Sequence, residues 1–455
     1  KPKICAYLHA TFHIQTRYLQ AEKRTQMKQR NIIISVFIIG MILLFSCNRK
    51  IISSSRTITK TKSSVTEKKP YLILISLDGF RWDYVEKYNP PNLSSFIKNG
   101  VKSESLIPSF PTKTFPNHYT IATGLYPDKH GIIGNIFYDY KKDTLFNKRN
   151  PKMAEDGSFY GGSPIWVAAN QAGILTASYF FVGTEANIQG IRPTYYYKFD
   201  NSVKNEERVN QTINWLNMEE KSRPHLITLY FGDMDKVGHI YGTNDDEKLK
   251  TALFELDKNL GDLFKGVSET NLPVNMIIVS DHGMGNQSTN KIIPIDSIEN
   301  EDLFMTIENG TIVNIHPKKE VGIDSVLQYL KQKENNFKAY RTENTPGFEY
   351  IPTNKNWGAI QLIPDYGYYF WNQRRKDALI EKGVKTFGVH GYDSKYKEMH
   401  GIFYANGPAF KDGYEIHSIK NIHIYPLMCK ILGLKIPESI DGDINEIKSV
   451  LKEDN

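Results

Sequence analysis

The chain is poor in cysteine: only Cys5, Cys47 and Cys429 occur among 455 residues, and no two form a CxxC pair. That excludes a zinc-finger framework and a disulfide-braced scaffold. It also lacks a long apolar run. The segment 32–46 reaches 15 residues, roughly 22 Å as a helix, against a hydrocarbon core about 30 Å thick. No internal repeat is visible, and no Ser/Pro-rich or charged linker follows residue 70. A basic excess is missing from most of the chain as well. Overall the formal charge is +7, but residues 1–69 alone hold 14 Lys/Arg against Glu22 and Glu67, a net of +12. Residues 70–455 therefore carry −5, which argues against a general nucleic-acid-binding surface.

What is present begins with the N-terminal segment. Met27-Lys28-Gln29-Arg30, the apolar run after it, and Leu44-Phe45-Ser46-Cys47 form a basic, then apolar, then small-residue-plus-Cys pattern. The pattern resembles a bacterial lipoprotein signal, with Cys47 as the lipidated residue and 1–47 as the upstream and signal segment. It implies a cell-envelope protein held at the membrane by a lipid, facing the periplasm or the exterior. A single-pass signal anchor is the alternative. Residues 48–69 are rich in Ser, Thr and Lys and read as a solvated tether.

From residue 70 onward the composition is that of a folded protein, with 40% hydrophobic and 24% charged residues in the whole chain. Tyr71–Leu77 (YLILISL) is a continuous apolar run closed by Asp78-Gly79, the pattern of a buried strand. Segments 174–181, 225–231 and 274–280 read as further buried strands. Between the last two, Leu249, Leu253, Leu256, Leu260, Leu263 and Val267 recur at helical spacing. Residues 92–100 predict a helix. Segments 310–315, 359–363 and 401–405 predict strands, and 324–332 and 421–432 helices. Strand–helix alternation on this scale predicts an α/β fold around a largely parallel sheet. One catalytic domain over 70–450, with an inserted lobe at about 285–385, is the simplest division. Cys429 lies in an apolar stretch and reads as a buried small hydrophobe.

Residues suited to chemistry stand at the ends of these strands. Asp78 follows the first; Asp235 and His239 follow the 225–231 strand; Asp281 and His282 follow the 274–280 strand; His390 sits in Gly388-Val389-His390-Gly391-Tyr392-Asp393. Each alone is most simply a turn or capping residue. Together, three carboxylates and three imidazoles suit zinc without any thiolate. Thr114, in Pro111-Thr112-Lys113-Thr114-Phe115-Pro116-Asn117-His118-Tyr119, lies where a helix begins, with Pro116 in its first turn. Locally it is only a capping Thr. Beside a metal cluster, its hydroxyl becomes a candidate nucleophile at a helix N-terminus that suits an anionic phosphoryl group.

These stretches resemble the nucleotide pyrophosphatase/phosphodiesterase family of the alkaline phosphatase superfamily. The resemblance covers LDGFRWDY (77–84), FPTKTFPNHYTIATGLYPDKHGIIGN (110–135), SDHGM (280–284), HGYD (390–393), IFYANGPAF (402–410) and NIHIYPLMCKILGL (421–434). It implies an alkaline phosphatase-like three-layer sandwich with a central, largely parallel sheet. It implies Thr114 as nucleophile and a phosphothreonine intermediate. Two zinc ions are implied, with other divalent metals able to replace them. Asp235, His239 and His390 would hold one; Asp78, Asp281 and His282 would hold the other, with Thr114 completing its sphere. Asn135 would hydrogen-bond a phosphoryl oxygen, and Phe115 with Phe199 would sandwich a nucleotide base.

The activity implied is hydrolysis of nucleotide phosphodiester or pyrophosphate bonds, releasing nucleoside 5′-monophosphates. Asn135 is a neutral partner, and the sequence places no Arg near Thr114 to clamp a dianion, so diesters are expected over monoesters. A choline or ethanolamine headgroup phosphodiesterase is the same-site alternative, and a non-catalytic metal-stabilised binding protein the remote one. His118 and His130 read as supporting residues, and Tyr366, Tyr368 and Tyr369 as packing in the lobe. A small-molecule nucleotide is the expected partner; nothing in the sequence sets an oligomeric state.

Overall fold

Seven successive residues of Tyr71–Leu77 are buried, and their alternation divides them between two cores. Leu72 and Leu74 face one, with Tyr425, Leu427 and Trp166; Ile73, Ile75 and Leu77 face the other, with Leu253, Leu256 and Leu260. A strand covered on both faces is what a continuous apolar run specifies. The computed structural model describes residues 70–453 and the two-residue strand 52–53. Cys47 and most of the proposed signal and tether lie outside the described residues.

The central sheet has nine strands. In chain order they are β1 (Ile52–Ser53), β2 (Tyr71–Leu77), β3 (Val101–Ser103), β4 (Thr176–Tyr179), β5 (Tyr195–Tyr197), β6 (Leu226–Phe231), β7 (Val274–Val279), β8 (Phe403–Asn406) and β9 (Tyr414–Ile416). Their spatial order is β1-β5-β4-β6-β2-β7-β8-β3-β9. The five strands β5-β4-β6-β2-β7 run parallel, while β1 and β8 pair antiparallel to their neighbours. Helices Asn205–Leu216 and Asp246–Glu269 (α3) cover one face; Ile165–Gln171 and Ile424–Leu432 cover the other. This is the α/β sandwich expected. Cys429 is free and buried in the second of these layers.

Two further helices carry the chemistry: α1 (Thr114–Thr123) and α2 (Asp233–Tyr241). In α3, every member of the Leu/Val series at helical spacing is buried, and Asp245 caps the start by accepting from the Lys248 N–H. Some expected elements are shorter. The strand predicted over 174–181 stops at Tyr179 because Phe180 adopts a left-handed φ of 69°. The strand predicted from Gly310 begins at Val313, since Gly310 turns the chain at φ 79°. The helix predicted from Asn421 opens with a 3-10 turn and is α-helical from Ile424.

Between β7 and β8 a stem forms where Gly285–Ser288 pairs antiparallel with Thr386–Val389. Beyond it lies a separate four-stranded antiparallel sheet, ordered Phe304–Glu308, Val313–Pro317, Ile360–Pro364, Phe337–Arg341. That sheet and helix Ile323–Gln332 share their own apolar core, which includes Val326, Leu330 and Phe337. The returning stem strand delivers the chain directly to His390. Among the described residues, no helix is long and apolar enough to cross a membrane.

Candidate active site

Strands β6, β2 and β7 are consecutive in the sheet, and each ends beside the next: Ser76 pairs with Tyr230 on one side and Val279 on the other. Neighbouring parallel strands lie about 4.8 Å apart, so residues just past their C-terminal ends converge. Asp78, Asp235 and the pair Asp281-His282 stand at these ends. Backbone hydrogen bonds from Asp78 to Phe231 and from Asp235 to Asp78 tie two of the loops together. Gly79 makes the approach possible. Its φ is 65°, and a Cβ there would sit 2.7 Å from the Asp235 Cα.

Thr114 opens α1, as its sequence context predicts, and is 5% exposed. Its Oγ1 lies 3.3 Å from His282 Nε2. The turn before it is held by Asn117, whose amide bonds the backbone of Ser109, Pro111 and Lys113 at 2.7–3.1 Å. Thr112 binds the His390 loop, its Oγ1 donating to the Tyr392 carbonyl and accepting from the Gly391 N–H. Asn135 Oδ1 accepts from the Phe115 N–H at 3.1 Å, which leaves its Nδ2 as a donor for another partner. Neither Asn117 nor Thr112 is marked by sequence alone, because their work is done on backbone atoms.

All three imidazoles are oriented the same way. His239, His282 and His390 place Nδ1 2.7–2.8 Å from the carbonyls of Gly388, Gly283 and Thr112 respectively. With Nδ1 donating, each Nε2 keeps its lone pair for the cluster. His282 Nε2 is 3.0 Å from Asp281 Oδ2 and 3.4 Å from Asp78 Oδ1. Asp235 Oδ1 is 3.2 Å from His239 Nε2 and 3.7 Å from His390 Nε2. Yet Asp78 Oδ1, Asp235 Oδ1 and Asp281 Oδ2 are buried without a hydrogen-bond partner. Three orphaned carboxylate oxygens facing imidazole lone pairs form a donor set that a cation satisfies.

Electrostatics agrees. Burial, reinforced by the Asp281 and Asp235 carboxylates, pushes Asp78 up to about 7. Burial also works to raise Asp281, but His282 and His118 outweigh it and hold that carboxyl well below the usual range. Burial, together with His282 and Lys113, pushes His390 well down, so its ring stays neutral. Crowded carboxylates with a neutral imidazole suit a bound divalent ion. Ligand atoms of Asp78, Asp281 and His282 lie within 4.8 Å of one another, and so do those of Asp235, His282 and His390. His282 thus stands between the two groupings, with His239 beside Asp235.

His118 supports the cluster. Its ring contacts Asp281 at 3.2 Å, the Thr114 carbonyl at 3.0 Å and Ser76 Oγ at 2.7 Å. His130 bonds Thr120 within the buried interior, away from the ligand atoms. Tyr230 was not singled out by sequence, since it reads as strand core; its hydroxyl donates to Asp78 Oδ2 at 2.6 Å.

Two cavities meet at Thr114. One, of about 640 Å³, is lined by Phe115, Phe180, Phe181, Phe199 and Tyr230. Phe199 is 52% exposed and reaches it from the loop after β5. The other, of about 490 Å³, is lined by Asn135, Asp235, His239 and His390, with Arg149, Arg375, Tyr369 and Trp371. This corrects two sequence expectations. Arginines do share the cavity of Thr114: Arg149 comes from the segment after hairpin 136–147, and Arg375 from the lobe. Tyr369, expected only to pack, lines that cavity too. Tertiary placement from distant segments carries no local sequence signal.

The structure therefore brings together Thr114, Asn135, Asp78, Asp235, His239, Asp281, His282 and His390, and places Phe115 and Phe199 on a shared cavity. Only Cys47, of the residues singled out, lies outside the described part. Comparison with known proteins follows the same lines. Residues 72–393 match the family model described as type I phosphodiesterase / nucleotide pyrophosphatase. A venom phosphodiesterase of Crotalus durissus collilineatus is 36% identical over 400 residues, covering 85% of this chain and 47% of that protein. The chain thus spans about half the length of that venom enzyme. The bis(5′-adenosyl)-triphosphatase of Mus musculus is 34% identical over 394 residues, covering 86% of this chain and 83% of its own. The structure of murine ectonucleotide pyrophosphatase/phosphodiesterase 5 superposes with a TM-score of 0.77 at 30% identity, covering 84% of this chain and all of that one. The same murine protein is also known as an inactive variant in complex with AMP. The chain belongs to the type I phosphodiesterase / nucleotide pyrophosphatase family, whose fold is that of the alkaline phosphatases.

Proposed function

We infer that the protein hydrolyses phosphodiester or pyrophosphate bonds of nucleotides and releases nucleoside 5′-monophosphates. The observation that carries this reading is the position of the Thr114 hydroxyl, 3.3 Å from His282 Nε2 at the edge of a buried Asp/His cluster, with an aromatic cavity of nucleoside size beside it. Asp78, Asp281 and His282, with Thr114, would hold one zinc; Asp235, His239 and His390 would hold the second. Zinc supplies positive charge that lowers the pKa of a nearby hydroxyl or water and offsets charge on phosphoryl oxygens.

The chain's own residues do the rest. Thr114 gives its hydroxyl proton to solvent and its Oγ1 attacks phosphorus, so that an O–P bond forms as the bond to the leaving oxygen, which takes up a proton from solvent, breaks. The leaving alcohol or nucleoside phosphate departs with the electron pair. Water then opens the phosphothreonine, returning the hydroxyl and releasing the monophosphate. Asn135, with its Oδ1 bonded to the Phe115 N–H, aims Nδ2 as a donor to a non-bridging oxygen. Such a donor contributes about 3–4 kcal/mol when aimed at developing charge. Phe115 and Phe199 would stack on the base of the retained nucleotide. The AMP complex of the murine relative supports a nucleotide in this family's site.

With zinc present, thymidine 5′-monophosphate p-nitrophenyl ester is expected to be cleaved far faster than p-nitrophenyl phosphate; the reverse ranking would sink the diesterase reading. The N-terminal pattern supports lipidation at Cys47 and residence at a bacterial cell envelope. Incorporation of a palmitate analogue is expected to vanish in Cys47→Ala, and an unlabelled wild type would return the signal-anchor alternative.

A further inference from the structure

Arg208 belongs to the helix Asn205–Leu216 and is only 5% exposed, yet the reading above gives it no task. A buried guanidinium is costly unless its donors and its charge are met. Burial lowers its pKa, and Asp233 works against that, but the Asp233 oxygens are engaged with Asn205 Nδ2 at 3.0 and 3.1 Å. The donors of Arg208 go to main-chain oxygens instead. Nη1 donates to the Tyr230 carbonyl at 2.8 Å and Nη2 to the Val203 carbonyl at 3.0 Å, while Nε has no partner. The guanidinium carbon also lies 5.1 Å from the Phe180 ring centroid and 5.8 Å from that of Phe231.

Those contacts lead to the walls of the aromatic cavity, although Arg208 does not line it. It borders a separate groove that shares Phe199 and Tyr230 with the cavity. Tyr230 is held at its carbonyl. Val203 closes the turn that follows Phe199, its N–H donating to the Asp200 carbonyl at 3.2 Å. Phe199 itself is half exposed, so packing restrains it little; Glu185 accepts from its N–H at 2.7 Å, and the turn beyond it is tied down through Val203. Phe180 has a left-handed φ of 69°, a conformation a bulky residue keeps only where its surroundings hold it. Its ring lies 5.3 Å from that of Phe199, which lies 6.2 Å from that of Tyr230. One planar group thus meets the ring of Phe180, the turn after Phe199 and the backbone of Tyr230. A lysine ammonium offers neither the flat face nor the rigid fork that this takes.

We propose that Arg208 is a positioning residue for the nucleoside: it sets Phe180, Phe199 and Tyr230 at the spacing that admits a base, and it touches no substrate. The proposal rests on the phosphodiesterase reading and deepens it, because it places a determinant of nucleotide affinity outside the cavity. The rings of the Asp/His cluster do not depend on Arg208, since His239, His282 and His390 are aimed by the carbonyls of Gly388, Gly283 and Thr112. Tyr230 does reach the cluster, through its hydroxyl on Asp78, so zinc content belongs in the test.

The experiment compares two esters with the same leaving group, p-nitrophenolate. One retains thymidine 5′-monophosphate; the other, methyl p-nitrophenyl phosphate, retains only a methyl group. Zinc-loaded wild type, Arg208→Lys and Arg208→Met are assayed on both. KM for the thymidine ester is expected to rise about fivefold in Arg208→Lys and about tenfold in Arg208→Met, as misplaced walls weaken stacking. Its kcat, the kcat/KM for the methyl ester and the zinc content are expected to stay within about twofold of wild type, because the reacting groups are not moved. AMP binding, measured by calorimetry, is expected to weaken in step with KM. An unchanged KM in both variants overturns the proposal. So does an equal loss on both esters, or a loss of fold or zinc in both variants, either of which makes Arg208 a brace of the whole domain. A wild type that cleaves neither ester overturns the phosphodiesterase reading, and AMP binding then decides the positioning role alone: weaker in Arg208→Lys supports it, and equal or absent binding overturns it.

Discussion

The two cavities that meet at Thr114 are made of different material. Lys148 and Arg149 line both; one is otherwise walled mainly by phenylalanines with Tyr230, the other by Arg375, the lobe aromatics Tyr369 and Trp371, and Asp235, His239 and His390. Their sources differ as well. The aromatic cavity is built by the loops of the central sheet and the segment 148–155, whereas the other also needs the lobe that rises from the stem at 285–288 and 386–389. The Thr114 hydroxyl thus faces two environments, one richer in phenylalanine and one bordered by Arg375 and the Asp/His cluster.

The sharpest way to test the shared point is to remove it. Thr114→Ala is expected to reduce kcat at least about a thousandfold for every substrate, as loss of a catalytic nucleophile does. Zinc content, measured by elemental analysis, is expected to stay, because the Asp and His donors remain. Activity surviving in that variant would move the attack to another group. Truncating the aromatic cavity should act on one side only. Phe115→Ala with Phe199→Ala is expected to raise KM for nucleotide esters about tenfold, the scale of a lost base-stacking contact, and to act much less on a small non-nucleotide diester. Equal effects on both substrates would dissolve the distinction between the cavities.

The smallest expected effect belongs to the arginine side and depends on pH. Burial raises the Glu308 carboxyl to about 7, so it is neutral below that pH and anionic above it. As pH rises through about 7, a negative charge therefore appears on the cavity lined by Asn135, Asp235, His239 and His390. KM for an anionic nucleotide ester is expected to rise a few-fold over that interval in the wild type and to stay flatter in Glu308→Gln. Parallel pH profiles for the two proteins would show that Glu308 does not sense the substrate's charge.

Much of the cluster was legible because short motifs at strand ends carry both the strand and its functional residue. Tyr71–Leu77 announces a strand buried on both faces, and Asp78 inherits its position from that strand. The same holds for Asp281-His282 after Val274–Val279. Phe199 was harder, since YYYKF (195–199) reads equally well as core: Tyr196 is buried in the sheet, and only past the strand's end, at Lys198 and Phe199, do the side chains become exposed. Arg149 and Arg375 were not legible at all. They stand 226 residues apart in sequence, and their meeting depends on how the hairpin and the lobe fold back across the sheet. Tyr230 was hidden for the opposite reason, its ring belonging to a strand and only its hydroxyl to the site.

The three Nδ1 contacts of His239, His282 and His390 have a consequence for how such a centre can change. Each ring is set by a main-chain oxygen, of Gly388, Gly283 and Thr112, and a main-chain oxygen is not encoded by any codon. Point mutation can delete an imidazole but cannot delete its orienting partner. Drift at the flanking side chains is thereby uncoupled from ring orientation so long as the loops keep their path. A transplant of the centre to another scaffold would have to carry those loops whole, since the side chains alone would arrive without the atoms that aim them.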